Sequence, residues 1–316
     1  MRFKKIFAIV LCMSLALAGC AKLPERTVSV EPEEVASYSA EQVYLVLAGR
    51  RQEISDVYTD KLFSIPVNDG GQTYSDTYNS MIKEYLENLQ IMAEIGAQRG
   101  TVPGEEELSE LEAAADGYMK EFEDSGNTFD ITREAVMEIL EKEKIAELLR
   151  EEIINSADIE VSESDARVVD VIRIEHNDSE AAYATLEEIN SDPDANVQSI
   201  ARRNSQNSEI EIKVARGDLP QIIEDEIFAL EDDEVSSIVT CDGKYYIFKC
   251  ITGYDMEATA ENKEHIISER KKRAVTLEYE AYSTEHPYSL DTEIWKQALK
   301  MYTENPEIPD IYKIIN

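Results

Sequence analysis

Cysteine, histidine and tryptophan are scarce in this chain of 316 residues, with four, three and one respectively. His176, His265 and His286 stand far apart and form no His-x-x-x-His or Cys/His spacing, so no zinc-binding pattern is present. A G-x-S-x-G nucleophile elbow is missing, as are the glycine patterns of Walker and Rossmann loops. Positive charge is also short. Against 66 Asp and Glu there are only 31 Lys and Arg, a net charge of −35, and the pI lies near 4.4. Nucleic acid is therefore excluded as a partner, because like charges repel and no basic run exists to displace counterions. The acidic clusters at 105–107 and 231–234 lack the alternating ligand order of a calcium loop and read as solvated charge. No metal or cofactor is expected. What the chain does have is 43% hydrophobic residues, enough for a real core, in a length that suits about two domains.

One long apolar run, broken only by Ser14, occupies residues 6–17 behind Arg2, Lys4 and Lys5. It is shorter than the roughly 20 residues that cross a bilayer, and it has the layout of a secretory signal. The small residues that follow, Leu17-Ala18-Gly19-Cys20, resemble a bacterial lipobox. That resemblance implies cleavage before Cys20 and acylation of its thiol, so the protein would be extracytoplasmic and held on the bacterial cell membrane by lipid. Acyl chains contribute about 0.8 kcal/mol per buried CH₂, sufficient when two or three are attached. Residues 1–19 are thus expected to be signal peptide and residues 20–40, with Pro24 and Pro32, an acylated tether.

Cys241 and Cys250 remain. Asp242-Gly243 between β-type runs at 235–240 and 245–251 predicts a hairpin turn. Cys241 then adjoins the turn while Cys250 lies about 20 Å along the returning strand, beyond disulfide reach. Two free thiols are expected.

From residue 41 to 155 the hydrophobic period is helical. Stripes run through Val43, Leu47, Ile54, Tyr58 and Leu62, then Tyr78, Met81, Ile82, Tyr85, Leu89 and Met92. Others pass through Leu108, Leu111, Ala115, Tyr118 and Phe122, and through Val136, Ile139, Leu140, Leu148, Leu149 and Ile153. Breaks fall at 66–71, 100–104 and 125–127. Near residue 166 the period changes. A β-branched run at 168–174, helices at 179–189 and 197–203 and the hairpin make a strand–helix–helix–strand–strand unit. Helical pattern resumes at 263–282 and 290–302, where Trp295 shares a face with Ala298 and Leu299. The expected fold class is α+β, a mostly helical body built from N- and C-terminal segments (41–160 and 256–316) with an inserted α+β domain (161–255).

Five pieces of that insert, in order, resemble the parvulin-type peptidyl-prolyl isomerases. They are the helix 182–189, the run Ile200-Ala201-Arg202-Arg203-Asn204-Ser205, the turn Gly217-Asp218-Leu219, the acidic-aromatic stretch 224–236, and the closing strand 243–249. With the lipobox and flanking helices, the layout resembles the PrsA and SurA class of extracytoplasmic foldases. The resemblance implies a chaperone of unfolded exported proteins. It also implies rotation about X–Pro bonds, whose uncatalysed barrier of about 18–20 kcal/mol falls when the twisted amide is bound best. In the family two histidines and a cysteine or aspartate form a polar floor under an apolar cup for the proline ring.

The floor positions depart from that pattern. An ungapped match puts the first histidine position at Arg173, or with a short gap at Val171 or Asp170, while His176 is expected past the strand end and facing solvent. The second floor position is Asn207 and the third Tyr246. The cup positions are Leu219, Ile223 and Phe228, on a shortened segment. Packing positions are kept and catalytic ones are not, so a weak or inactive isomerase within a membrane-tethered chaperone is the expectation. Two alternatives stand beside it: an active isomerase using Tyr246 and Asn207, and, more distantly, a solute-binding lipoprotein.

Overall fold

The structure, a computed structural model, describes residues 35–126 and 131–315. The signal peptide, Cys20 and most of the tether expected from the sequence lie outside the described residues. The tether nonetheless ends earlier than residue 40. Tyr38 is buried, and the carbonyls of Val35 and Ala36 accept hydrogen bonds from Gln90 (3.0 Å) and Lys142 (2.6 Å), so residues 35–38 are already strapped to the helices.

Helix α1 (Ala40–Tyr58) opens with a capping box between Ser39 and Gln42, and α2 (Tyr74–Arg99) with one between Thr73 and Asp76. Gly100, in the left-handed conformation at φ 71°, closes α2. Helices α3 (Glu105–Asp124) and α4 (Arg133–Ser156) complete the first helical run. The amphipathic stripe expected along α1 is not what forms. Val43 to Leu47 are fully buried on every side, because the first turns are apolar all round, whereas Tyr58 at the far end is 62% exposed. Met81 and Leu108 likewise face solvent, while the other stripe residues of α2 and α3 pack inward fully or in part.

After a short helix α5 (Glu163–Ala166) comes the insert: β1 (Val168–His176), α6 (Ser179–Ser191), α7 (Val197–Asn204), β2 (Glu211–Ala215), α8 (Gln221–Ala229), β3 (Val239–Cys241) and β4 (Lys244–Thr252). Its strands form one antiparallel sheet in the order β2-β1-β4-β3. Two elements, β2 and α8, were not expected. Strand β2 alternates Ile212 and Val214 toward the core with Glu211 and Lys213 exposed at the sheet edge, a period-2 signal too short to be recognised beside the longer runs. The strand expected at 235–240 is shorter, because Ser236 is pulled against β4: its hydroxyl accepts from the Phe248 N–H and its own N–H donates to the Phe248 carbonyl, both at 2.8 Å. The predicted turn is present with positive φ at both Asp242 and Gly243, and both thiols are free.

The chain then returns to the helical body through α9 (Met256–Glu285), α10 (Thr292–Glu304) and α11 (Tyr312–Ile315). Residues from both ends of the sequence share one core: α1, α2, α3 and α4 with Leu290, Ala298, Ile308, Ile311 and Tyr312. Gly49 permits this closure, since a Cβ there would stand 3.0 Å from Asp310 Oδ1. Helix α9, about 45 Å long at 1.5 Å per residue, buries only Thr259 and works as a rod between the two regions. Its first turn holds the insert, where the Thr259 hydroxyl accepts from the Val168 N–H at 3.0 Å. Its far half lies on α2 and α4 through Ala274, Val275, Tyr279 and Tyr282, with Tyr279 donating to Asn88 at 2.6 Å.

Candidate functional site

The sheet of the insert has two covered faces. Ile172, Ile174 and Ile247 pack under α6 and α7, while Val169, Val171, Phe248 and Cys250 pack under α8. Strand alternation places Arg173 and Glu175 of β1 on the α8 side. Register then sets Arg173 opposite Phe248 and Glu175 opposite Tyr246. Of the floor positions expected from the resemblance, Arg173, Asn207 and Tyr246 lie at this end of the sheet, and Val171 and Asp170 lie toward the other.

The residue at its centre is one that sequence reasoning missed. Glu175 is buried, and its carboxylate takes the Lys244 ammonium at 2.6 Å. That contact, helped by a hydrogen bond from Asn207 and the nearby Arg173, holds Glu175 below the usual carboxylate range. The Glu175 N–H donates to the Ser205 hydroxyl at 3.1 Å, and the Asn207 N–H reaches the same oxygen at 3.2 Å. The Asn207 side-chain oxygen accepts from the Glu209 N–H at 2.9 Å, closing the turn. Arg173 is engaged on the same loop, donating to the Glu209 carbonyl at 3.0 Å, and its buried Nε has no hydrogen-bond partner. Tyr246 is half-buried with its ring stacked on Phe248, centroids 6.1 Å apart. Burial and then the Glu175 charge push its phenol up, so it is neutral at physiological pH.

The sequence signal for this cluster was available in retrospect. Glu175 on β1 faces Tyr246 on β4, and Lys244, two residues before Tyr246, is its diagonal cross-strand neighbour of opposite charge. His176, by contrast, corrects an expectation. It is the last residue of β1, 3% exposed, on the face away from α8, with its Nε2 3.1 Å from the Thr185 hydroxyl. Burial lowers its pKa. Of the other aligned candidates on β1, Val171 is core and Asp170 sits at an irregularity in the β1–β4 pairing.

The expected cup residues are brought together but not around a hollow. Ile223 (4% exposed) and Phe228 (8%) are in the core between α8 and the sheet, with Leu219 half-buried against them. The Arg216 guanidinium covers the Phe228 ring at 4.2 Å. The turn that carries Leu219 is pinned by Glu224, a second missed residue: its buried carboxylate accepts the N–H groups of Gly217 (2.7 Å) and Leu219 (3.0 Å). Chemically the floor is an ion pair, an amide, a committed guanidinium and a neutral phenol. Among the described residues no set of His, Cys, Asp and Glu is arranged to hold a metal ion. No described helix is long and apolar enough to cross a membrane.

These features define an α+β chain in which a four-stranded antiparallel insert interrupts a helical body. Solved structures similar to it are foldases and chaperones. PrsA from Bacillus cereus, described as a peptidylprolyl isomerase, aligns at 17% identity over 75% of this chain and 97% of its own, with a TM-score of 0.36. The foldase PrsA of Streptococcus pneumoniae aligns at 17% identity over 75% and 98%, TM-score 0.34. A SurA-like chaperone of Campylobacter jejuni aligns at 11% over 72% and 92%, TM-score 0.27. No family model and no curated protein matches the sequence.

Proposed function

We propose that this protein is a foldase-type chaperone that holds unfolded exported polypeptides outside the cytoplasm, anchored to the membrane by lipid on Cys20. Its parvulin-like insert serves as a structural and binding module with little or no prolyl isomerase turnover. On this reading residues 41–160 and 256–316 form the chaperone body and 161–255 the insert.

One observation carries the reading: the Lys244–Glu175 ion pair sits where a rotating prolyl amide requires a hollow over uncommitted hydrogen-bonding groups. The cup positions support it, since Ile223 and Phe228 are spent on the core. For client contact the helical body offers exposed apolar side chains at the end of α1 and in the turn after it, Val57, Tyr58, Ile65 and Val67. Weak, multi-site holding suits such a surface, because an extended client loses ordering entropy wherever it docks. The strong negative charge favours basic clients and keeps crowded, tethered copies apart.

The test is aggregation of a chemically unfolded, cationic client followed by light scattering. The full chain at equimolar ratio is expected to suppress it, and Tyr58→Ser with Val67→Ser to suppress it less. Unchanged scattering at stoichiometric excess of the wild-type protein would reject the holding function.

A further inference from the structure

A cleft lies not at the floor but where both connections enter and leave the insert. It measures about 680 Å³, within the roughly 300–1,000 Å³ typical of ligand sites, and is lined by the ends of α5, α8 and β4. Its apolar wall is Phe228, Ala229, Leu230 and the Tyr254 ring, and its rim carries the carboxylates of Glu163, Glu231 and Asp232. The single cation lining it, Arg167, is turned to structural use: it donates to the Gly253 carbonyl at 2.6 Å and the Phe228 carbonyl at 3.2 Å. Asp232 accepts the Gly253 N–H at 2.6 Å with one oxygen. Glu163 is engaged by Lys263 and by the Tyr254 hydroxyl, at 2.8 and 2.6 Å, so that rim is fixed in place. Glu231 and Ala229 are exposed.

We infer that this junction cleft binds an extended polypeptide segment in which a lysine or arginine neighbours a leucine or aromatic residue. The apolar part of the segment lies against Ala229 and the Tyr254 ring while its cation meets Glu231 and the outer oxygen of Asp232. Charge complementarity selects the occupant, because a net acidic rim over an apolar wall repels acidic peptides and leaves purely polar ones without a contact surface. Arg167 and Gly253 also belong to the two connections, so an occupied cleft spans the insert and its link to α9. The inference rests on the polypeptide-holding reading and assigns it a specific site.

The experiment is fluorescence anisotropy of the full chain with a labelled peptide alternating arginine and leucine, beside a matched peptide carrying glutamate for arginine. The arginine peptide is expected to bind, more weakly as salt rises, and the glutamate peptide not to bind. Ala229→Trp, at an exposed position, fills the cleft and is expected to lower affinity at least tenfold with the melting temperature unchanged. Glu231→Lys should weaken binding several-fold at low salt only. Equal binding of both peptides, or undiminished binding by Ala229→Trp, would overturn the inference. So would concentration-dependent self-association abolished by Ala229→Trp, since the occupant would then be a second copy. Failure of peptide binding with intact suppression of client aggregation would refute this site alone, whereas loss of both in the wild-type protein would refute the holding function itself.

Discussion

The ion pair under the floor predicts an asymmetry between its two partners. The Glu175 side chain is only 10% exposed while Lys244 is 44% exposed, and they meet at 2.6 Å. Glu175→Gln removes one charge and releases an ammonium that water can solvate, so after allowance for that exposure the loss is about 1 kcal/mol. Lys244→Met leaves the less exposed carboxylate without its counter-charge and is expected to destabilise the insert more than Glu175→Gln does. The first loss raises the open population of the insert about fivefold, and the second raises it further. Trp295 cannot report this, because it belongs to α10 in the helical body. Cys250 can, being fully buried between the sheet and α8. Its rate of alkylation, followed by mass spectrometry to separate it from the other thiols, measures opening of the insert alone. The double variant should recover part of the Lys244→Met loss. The pH dependence has a definite sign: a carboxylate held below its usual range contributes stability that is present above about pH 4.3 and is lost as pH falls through the lower folded value. Glu175→Gln should lack that component. Equal labelling rates for the two single variants, or a larger effect of Glu175→Gln, would refute the argument from burial.

Two further expectations test other parts of the fold. Gly96 lies where α2 crosses α4, and a Cβ there would stand 2.3 Å from Ile145 Cγ2 and 3.2 Å from the Thr101 carbonyl. Gly96→Ala should therefore destabilise the helical body by about 1–3 kcal/mol, read from Trp295 fluorescence in urea, with Cys250 labelling little changed. His176 is buried as the neutral imidazole, so the unfolded chain binds more protons below about pH 6.5. The insert should be fully stable above that pH and lose stability as pH falls toward the lowered folded value. His176→Gln should flatten that dependence in the same labelling assay.

Much of the fold was legible because it rests on local rules. The Asp242-Gly243 turn requires positive φ twice, and the breaks at 66–71 and 100–104 carry the glycines and prolines that end helices. The insert could be seen from its change of period. Position within the body was not legible. The first half of α1 is buried all round because later segments, α10 and residues 308–312, close over it, and no window of sequence contains both partners. His176 was misplaced for a related reason. Strand β1 runs two residues past its β-branched portion because Tyr245 and Tyr246 continue the pairing, and Thr185 on α6 supplies the polar partner that makes burial of the imidazole possible. Arg173, Asn207 and Tyr246 gather around Glu175, whose role depends on a cross-strand pairing register that no local window of sequence shows. Leu219, Ile223 and Phe228 also cluster, yet the Glu224 carboxylate draws their turn down and leaves them in the core.

NMR exchange spectroscopy on a short X–Pro peptide decides the proposal that the insert carries out little or no prolyl isomerisation. With stoichiometric full chain the cis–trans exchange rate is predicted to match that of the free peptide, and to stay unchanged in Tyr246→Phe with Asn207→Ala. Accelerated exchange with the wild-type protein, abolished in that double variant, would contradict the account and make Tyr246 and Asn207 the catalytic floor.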